Sequence, residues 1–443
     1  MSSHRFAAPP LHRLTAALSL GAAALVLAGC ASQGPAHAPL ATLAPDALGL
    51  QATSAAGAAP DAMSHAATDA ALPTARWWAA LGDAQLNQLV DQALQGNPSL
   101  AASQTRLDKA LALATATSSA TDVRGALTTD ATRQHYSANG MIPAPIAGHT
   151  YNSGNVQLGL GWNPDFFGKH RADLEAALGQ ARAAQADRAA AATQLAGQVA
   201  RSYVALARLL AQRDVAQRTL VQRQSLLDLS QQRTRAGLDS QVELTQAQAG
   251  LPDARTQVEM LDEQITLARR TIAVLCGQAP DAQQALAPQL AALQLQAVPT
   301  VLGADLLGRR PDVVAARWRV EAATRGIDSA KAEFYPDVNL TAFVGLSAVG
   351  LDQLFKGSSR QLGVTPALRL PIFDGKRLRA QLRGKQADLD TAIAQYNGVV
   401  LQAVKEAGDG VASVQSLDRQ QQLQAESLAK AERAYDFAVQ RYQ

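Results

Sequence analysis

Apolar and polar positions along this chain follow two periods that alternate, and the alternation occurs twice. Between residues 169 and 233 no proline interrupts the chain, and positions seven apart read Leu178, Gln185, Ala192, Val199, Leu206, Arg213, Leu220 and Leu227. Most are apolar, which predicts a long helix with a coiled-coil seam that is wet or faces a lumen at Gln185 and Arg213. About sixty-five residues of helix extend roughly 95 Å, several times a bilayer core, so the element projects into an aqueous space. Arg233 and Arg235 before Gly237 mark its C-terminus, and Asp239 or Ser240 can cap a returning helix that runs to about Cys276.

Near 123–135, 154–163, 337–347 and 361–372 the period drops to two. In the last segment Leu362, Val364, Pro366, Leu368, Leu370 and Ile372 alternate with Gln361, Gly363, Thr365, Ala367, Arg369 and Pro371. The third sets Val338, Leu340, Ala342, Val344 and Leu346 against Asp337, Asn339, Thr341, Phe343 and Gly345, and the second sets Val156, Leu158, Leu160 and Trp162 against smaller or polar residues. The first alternates weakly. One such strand alone reads as part of a half-buried soluble sheet, whereas four two-faced strands of about ten residues fit an outer-membrane barrel. Four strands cannot close a barrel, but three subunits supply twelve, enough to enclose a water-filled lumen. Pro164, Gly168, Pro336, Pro371 and Gly375 stand where the period changes, as residues that stop one regular structure and permit the bend into the next. Stretches 136–150 and 348–359 connect paired strands and should face the exterior.

The pattern is duplicated. Asn97-Pro98-Ser99-Leu100 through Leu127 aligns without a gap on Arg310-Pro311-Asp312-Val313 through Leu340 at an offset of 213 residues, and Phe166-Phe167-Gly168-Lys169 recurs as Phe373-Asp374-Gly375-Lys376 at an offset of 207. Two internal structural repeats of helix, two strands and a long helix suit a pseudo-symmetric assembly better than a catalytic cleft. Arg233 to Gly237 has its counterpart at Arg441-Tyr442-Gln443, so the expectation is that the second copy is truncated by roughly forty residues.

The N-terminus carries different chemistry. His4, Arg5, His12 and Arg13 precede an apolar run over 14–27 that ends in Leu27-Ala28-Gly29-Cys30, a bacterial lipoprotein leader with Cys30 as the lipidated first mature residue. An ordinary secretory leader with an incidental cysteine is the alternative. Residues 31–73 are rich in Ala, Pro, Gly and Ser without an apolar period, and read as a flexible tether. Cys276 is the only other cysteine and reads as a buried, inert thiol. Four Trp and eight Phe leave alanine to fill the core, which favours closely packed helices over a compact enzyme domain.

A formal charge of +3, partly supplied by the leader, gives no basic cluster for nucleic acid. The seven histidines lack metal-ligand spacing: His4, His12, His37 and His65 fall in the leader or tether, and His135, His149 and His170 at strand ends or loops. No nucleophile with its base and no phosphate-cradling loop is present, so neither an enzyme nor a cofactor is expected. Asp173, Glu175, Asp253 and Glu259 read as solvated helix charges.

Trp77-Trp78, the run 86–97 ending in Asn97-Pro98, Asp305 to Val313 with its Arg-Arg-Pro-Asp core, Ala330 to Pro336 ending in Phe-Tyr-Pro, and Pro371-Ile372-Phe373-Asp374-Gly375 together resemble the TolC-type outer-membrane efflux channels, in their lipoprotein branch. The resemblance covers about residue 74 to the end. It implies a mostly α fold with a membrane part: a homotrimer whose twelve-stranded barrel continues into a periplasmic tunnel of long antiparallel helices. The boundaries are a signal peptide at 1–29, the lipidated tether at 30–73, a first repeat at 74–277 with its long hairpin at 169–277, an equatorial linker at 278–304 and a second repeat at 305–443.

The resemblance further implies passive conduction of drugs or other small molecules, delivered by a periplasmic membrane-fusion adaptor from an inner-membrane pump of RND or MFS type. The adaptor would dock at the turn Arg235-Ala236-Gly237-Leu238. Gate carboxylates belong to the equivalent turn of the second copy, and Glu243 would be their first-copy counterpart. Ala31 and Ser32 after Cys30 imply sorting to the outer membrane, and the stretch 315–322 is similar to the branch linked to export of aromatic acids and drugs. A periplasmic coiled-coil structural lipoprotein, a membrane-fusion adaptor or a type I secretion duct are the rival readings. The paired strands argue against the first, and their place between the helices against the second.

Overall fold

The computed structural model describes residues 37–43, 76–294 and 308–442. The helices are α1 (Ala84–Gly96), α2 (Pro98–Ser118), α3 (Lys169–Arg235), α4 (Gln241–Leu275), α5 (Pro311–Ala332) and α6 (Gly375–Tyr442); the strands are β1 (Arg124–His135), β2 (Thr150–Trp162), β3 (Asp337–Val349) and β4 (Arg360–Arg369). The chain is mostly helical, and the order helix, strand, strand, long helix occurs twice. Proline takes the first position of both α2 and α5, where its missing N–H has no helical partner to lose. Two compact units divide the chain. One comprises Lys109–Arg182, Arg317–Tyr396 and the described part of Met1–Thr42; the other comprises Ala183–Ala316, Asn397–Gln443 and the described part of Leu43–Asp108.

In the first unit the strands form one antiparallel sheet in the order β1-β2-β3-β4, so consecutive strands are neighbours and β1 and β4 are edges. Register places Leu127 beside Leu158, Leu158 beside Val344 and Val344 beside Leu362. Below the sheet, Ile327, Ala330 and Phe334 of α5 and its exit pack on Leu378, Leu382, Leu389 and Ile393 of α6. Arg325 holds this packing to α3 through Glu175 at 3.0 Å, and Arg182 lies 4.6 Å over the Trp318 ring. Glu175 is therefore paired across helices, beyond the solvated role its sequence position suggests.

The second unit is built on Tyr203, Leu206 and Val199 of α3, Leu86 and Val90 of α1, and Ile265 and Ile272 of α4. The buried Tyr203 hydroxyl donates to Asp83 at 2.7 Å and Gln85 at 3.1 Å, while the other Asp83 oxygen accepts from the backbone of Gln85 and Leu86 and caps α1. Burial first, and then Asp83, push the Tyr203 hydroxyl far above its ordinary pKa. Gly277 has a left-handed φ of +71°, and a Cβ there would lie 2.2 Å from the Gly96 carbonyl oxygen. Only glycine lets the ends of α1 and α4 approach so closely. Cys276 beside it is buried, and burial raises its thiol to about 11.

Several expectations shift. β2 starts at Thr150 and β3 runs on to Val349, while β4 ends at Arg369 and leaves Leu370 to Ile372 outside it. In the heptad ladder Val199, Leu206 and Leu227 are buried, whereas Gln185 and Leu178 are exposed. Arg213 is a part-exposed break in that seam, and its Nε sits 2.5 Å from Asp262 of α4, an ion pair across the hairpin. His170 is in the first turn of α3 rather than in a strand end or loop.

Residues 37–43, expected within a tether that does not fold, are bound along α6. Leu40 and Leu43 donate backbone N–H groups to Asp390 and Asn397 at 3.0 and 2.9 Å, and His37 lies 3.0 Å from Asp390. The 1–29 leader, Cys30, residues 31–36 and 44–73 of the tether, 74–75, 295–304 of the linker and 305–307 at the start of the second repeat lie outside the described residues. The described linker, 278–294, packs back on its own unit: Leu286 is buried in the core, its carbonyl accepts from Arg269, and Gln294 donates to Leu81.

Candidate functional site

The sheet presents two chemically different faces. On one lie Leu127, Val156, Leu158, Leu160, Trp162, Leu340, Val344, Leu362, Val364 and Leu368, brought onto the same side by the register. The face is uncovered: Leu362 is 78 % and Val364 67 % exposed. Near one end of it Leu351 and Leu354, from the β3–β4 connection, close over Gly154, where a Cβ would come within 2.9 Å of both.

The other face is polar and internally bonded. Asn155 donates to Asp130 at 3.1 Å, and Gln361 donates to Asn155 at 2.8 Å and Gln157 at 3.4 Å. Gly345 lies between Gln157 and Gln361 in register, so no β3 side chain separates the two amides. Phe343 is the exception on this face. Its ring lies over Gly363, where a Cβ would be 2.7 Å from it. A sheet with an uncovered apolar side and a hydrogen-bonded polar side has the two faces that a boundary between lipid and water requires.

The five residues expected at period changes come to one place. Pro164, Pro336 and Pro371 line a cavity of about 440 Å³ where β2 passes into α3, α5 into β3 and β4 into α6. Gly168 precedes α3 with φ +78°, and Gly375 begins α6. Lys169 pairs with Glu333 at 3.1 Å across the cavity, Arg377 with Asp374 at 3.0 Å, and Phe167 stacks on Tyr335 at 5.2 Å. Trp162, Phe166 and Phe373 stay exposed around this end of the sheet.

The turn between α3 and α4 belongs to the second unit. Leu238 donates to the Arg233 carbonyl at 2.9 Å and Gly237, at φ +75°, to that of Thr234 at 3.1 Å, the closed form of a glycine-terminated helix end. Arg233 donates two hydrogen bonds to Asp239, at 2.9 and 3.0 Å. Ser240 caps α4, and Glu243 completes a capping box by accepting from the Ser240 N–H at 2.9 Å. Hydrogen bonding from the Ser240 side chain, then from the backbone, holds the Glu243 carboxyl below its ordinary range. Of the two candidate caps, Ser240 is the one used, and Glu243 is engaged in the cap rather than free. Arg235, Ala236 and Leu238 are exposed on this rigid turn, as is Val242 behind it.

The Arg-Arg-Pro-Asp stretch acts as a clamp. Arg310 donates to both Asp312 oxygens at 3.1 and 2.7 Å and pairs with Glu406 of α6 at 2.9 Å. Its pKa is raised above the ordinary value, first by the Asp312 hydrogen bond. The motif is visible in the sequence, but Glu406 is not, because nothing in the local pattern of α6 marks it. The bonds of Leu40 and Leu43 to α6 are equally invisible there, being made by backbone donors.

The family model described as "Outer membrane efflux protein" matches residues 89–278 and 302–443. The fusaric acid resistance protein FusA of Burkholderia cepacia is 39% identical over 386 residues, 85% of this chain and 70% of that protein. The multidrug resistance outer membrane protein MdtP of Escherichia coli (strain K12) is 34% identical over 381 residues, 83% of this chain and 78% of its own. Among solved structures, the outer membrane protein VceC of Vibrio cholerae superposes with a TM-score of 0.77 at 35% identity, covering 83% of this chain and 88% of that one. The Campylobacter jejuni CmeC outer membrane channel has the same fold, with a TM-score of 0.77 at 19% identity.

Proposed function

The chain belongs to the outer membrane efflux protein family, whose members are transport channels rather than enzymes, and we propose that it is the outer-membrane duct of a tripartite efflux system. Small molecules pass through it passively, and the energy comes from an inner-membrane pump coupled through a periplasmic adaptor. The observation that carries this reading is the two-faced sheet: an uncovered apolar side, a bonded polar side and two open edges, joined to helices too polar to enter lipid. No helix among the described residues is long and apolar enough to cross a membrane; the uncovered apolar face of the sheet is what suits it to lipid.

Three copies joined β4 to β1 give a closed barrel without an edge, lined by Asp130, Asn155, Gln157 and Gln361. Trp162, Phe166 and Phe373 then lie at the periplasmic boundary, where amphipathic rings are favoured. We further read the two helix-strand-strand-helix series as copies of one unit, Cys30 as lipidated, and Arg235 to Leu238 as the adaptor-docking turn, because that turn is rigid and exposes Leu238. The fusaric acid and multidrug resistance in the names of FusA and MdtP support drugs and aromatic acids as cargo, and we take the pump to be of RND or MFS type.

Reconstitution of the purified protein in planar bilayers tests the duct. Ion conductance in steps, lost when the apolar face is made charged, is the expected result; a water-soluble protein without conductance overturns the reading. Incorporation of labelled palmitate that disappears in Cys30→Ser tests the anchor.

A further inference from the structure

The apolar face of the sheet does not stay apolar to its loop end. Register puts Arg133 of β1 and Arg360 of β4 on the same side as Leu127, Val344 and Leu362: Arg133 pairs with Asn152, and Arg360 with Leu346. Arg133 stands above Ala131 and Leu127 with His135 beyond it at the strand end, and Arg360 tops its own column above Leu362 and Val364. Both are exposed, and Arg360 Nε donates to the Gly357 carbonyl at 3.2 Å, which holds the guanidinium at the surface. Lys356 is exposed in the connection just before β4. Among the described residues none of the three is in an ion pair.

The charge around them is one-sided. Residues 131–153 contain no carboxylate, and residues 347–362 contain only Asp352, whose oxygen accepts from Gln353. At the opposite end of the sheet the junction cavity mixes both signs, with Asp165, Glu333, Asp337 and Asp374 among Lys169, Arg369 and Arg377. Cations near the loop end of these apolar columns, with fully exposed Met141 and 79 %-exposed Phe355 in the two strand connections, match a partner with phosphates above acyl chains.

We propose that this end of the sheet binds the phosphorylated glycolipid of the outer leaflet, through Arg133, Arg360 and Lys356. Arginine suits the task because its planar fork meets a phosphate with two hydrogen bonds. In a closed barrel with β4 of one copy against β1 of the next, Arg360 and Arg133 from different copies would stand on adjacent strands. The inference rests on the reading of the sheet as membrane-inserted.

The test uses full-length protein in detergent. Thermal unfolding is followed with bisphosphorylated lipid A, with its dephosphorylated form, with phosphatidylglycerol and with inorganic phosphate. An upward shift with bisphosphorylated lipid A that exceeds all three others is expected. In R133Q/R360Q/K356Q the affinity should fall about tenfold for each arginine replaced, with the lipid-free melting temperature unchanged. Arg133→Lys with Arg360→Lys should retain part of the shift, and Arg124→Gln, on the polar face, all of it. Equal shifts from phosphatidylglycerol or phosphate, or an undiminished shift in the triple variant, overturn the proposal. Conductance recorded on the same samples separates the outcomes: a conducting variant without the shift leaves the duct reading intact, whereas a wild type that does not conduct removes both.

Discussion

A few side chains carry long-range connections that no local pattern announces. Arg310 is the clearest, since it joins the start of α5 to α6. Burial alone raises the Asp312 carboxyl, but the Arg310 hydrogen bond and charge outweigh it and hold the group below its ordinary range; the Gln402 amide, then Arg310, lower Glu406. Carboxyls depressed in the folded state add stability above their unfolded pKa and lose it as pH falls through the folded value. Wild type should therefore lose stability below about pH 4 more steeply than Arg310→Gln; parallel melting curves against pH would sink this account. Tyr203→Phe removes two hydrogen bonds in the second core and should cost about 1–2 kcal/mol by denaturant titration. Arg-Arg-Pro-Asp could be read as a motif, but the bond of Tyr203 to a cap 120 residues away could not, because only the fold juxtaposes them.

Elements were more legible, and their errors are instructive. Period two identified β2, β3 and β4 because branched or aromatic residues alternate there with small or polar ones. The alternation is faint in β1, whose outward positions are Gly125, Leu127, Thr129, Ala131, Arg133 and His135, and only pairing with β2 reveals its face. Arg213 could be read as a polar break in a seam, but its pairing could not, because a sequence does not say that Asp262 faces it. Val344→Arg, at mid-height on the lipid side, should cost about 2–4 kcal/mol when unfolding is measured from bilayers, whereas Thr365→Arg on the polar side should cost little. Equal costs would contradict the assignment of faces. At the α3–α4 turn, Gly237→Ala forces a left-handed backbone on a residue with a Cβ. It should destabilise the hairpin by about 1 kcal/mol, seen as faster proteolysis near Ala236. Leu238→Asp should instead leave melting unchanged and reduce adaptor capture.

At the scale of the whole molecule the prediction is a mass. Protein extracted in mild detergent should sediment as three copies, and a monomer would remove the closed barrel. This level was the least derivable from composition, since each strand taken singly suits a soluble sheet; the duplication and the family resemblance supplied the rest. The two open edges of the sheet, β1 and β4, reach beyond architecture. In the trimeric barrel proposed above, a subunit cannot satisfy its own edge groups inside lipid and would complete its fold only on its neighbours. A copy damaged along β4 would still offer a sound β1 and be taken into rings that it then leaves open. Mutations on these edges should consequently behave as dominant in a cell that carries both alleles, while mutations at the Arg310 clamp should be recessive.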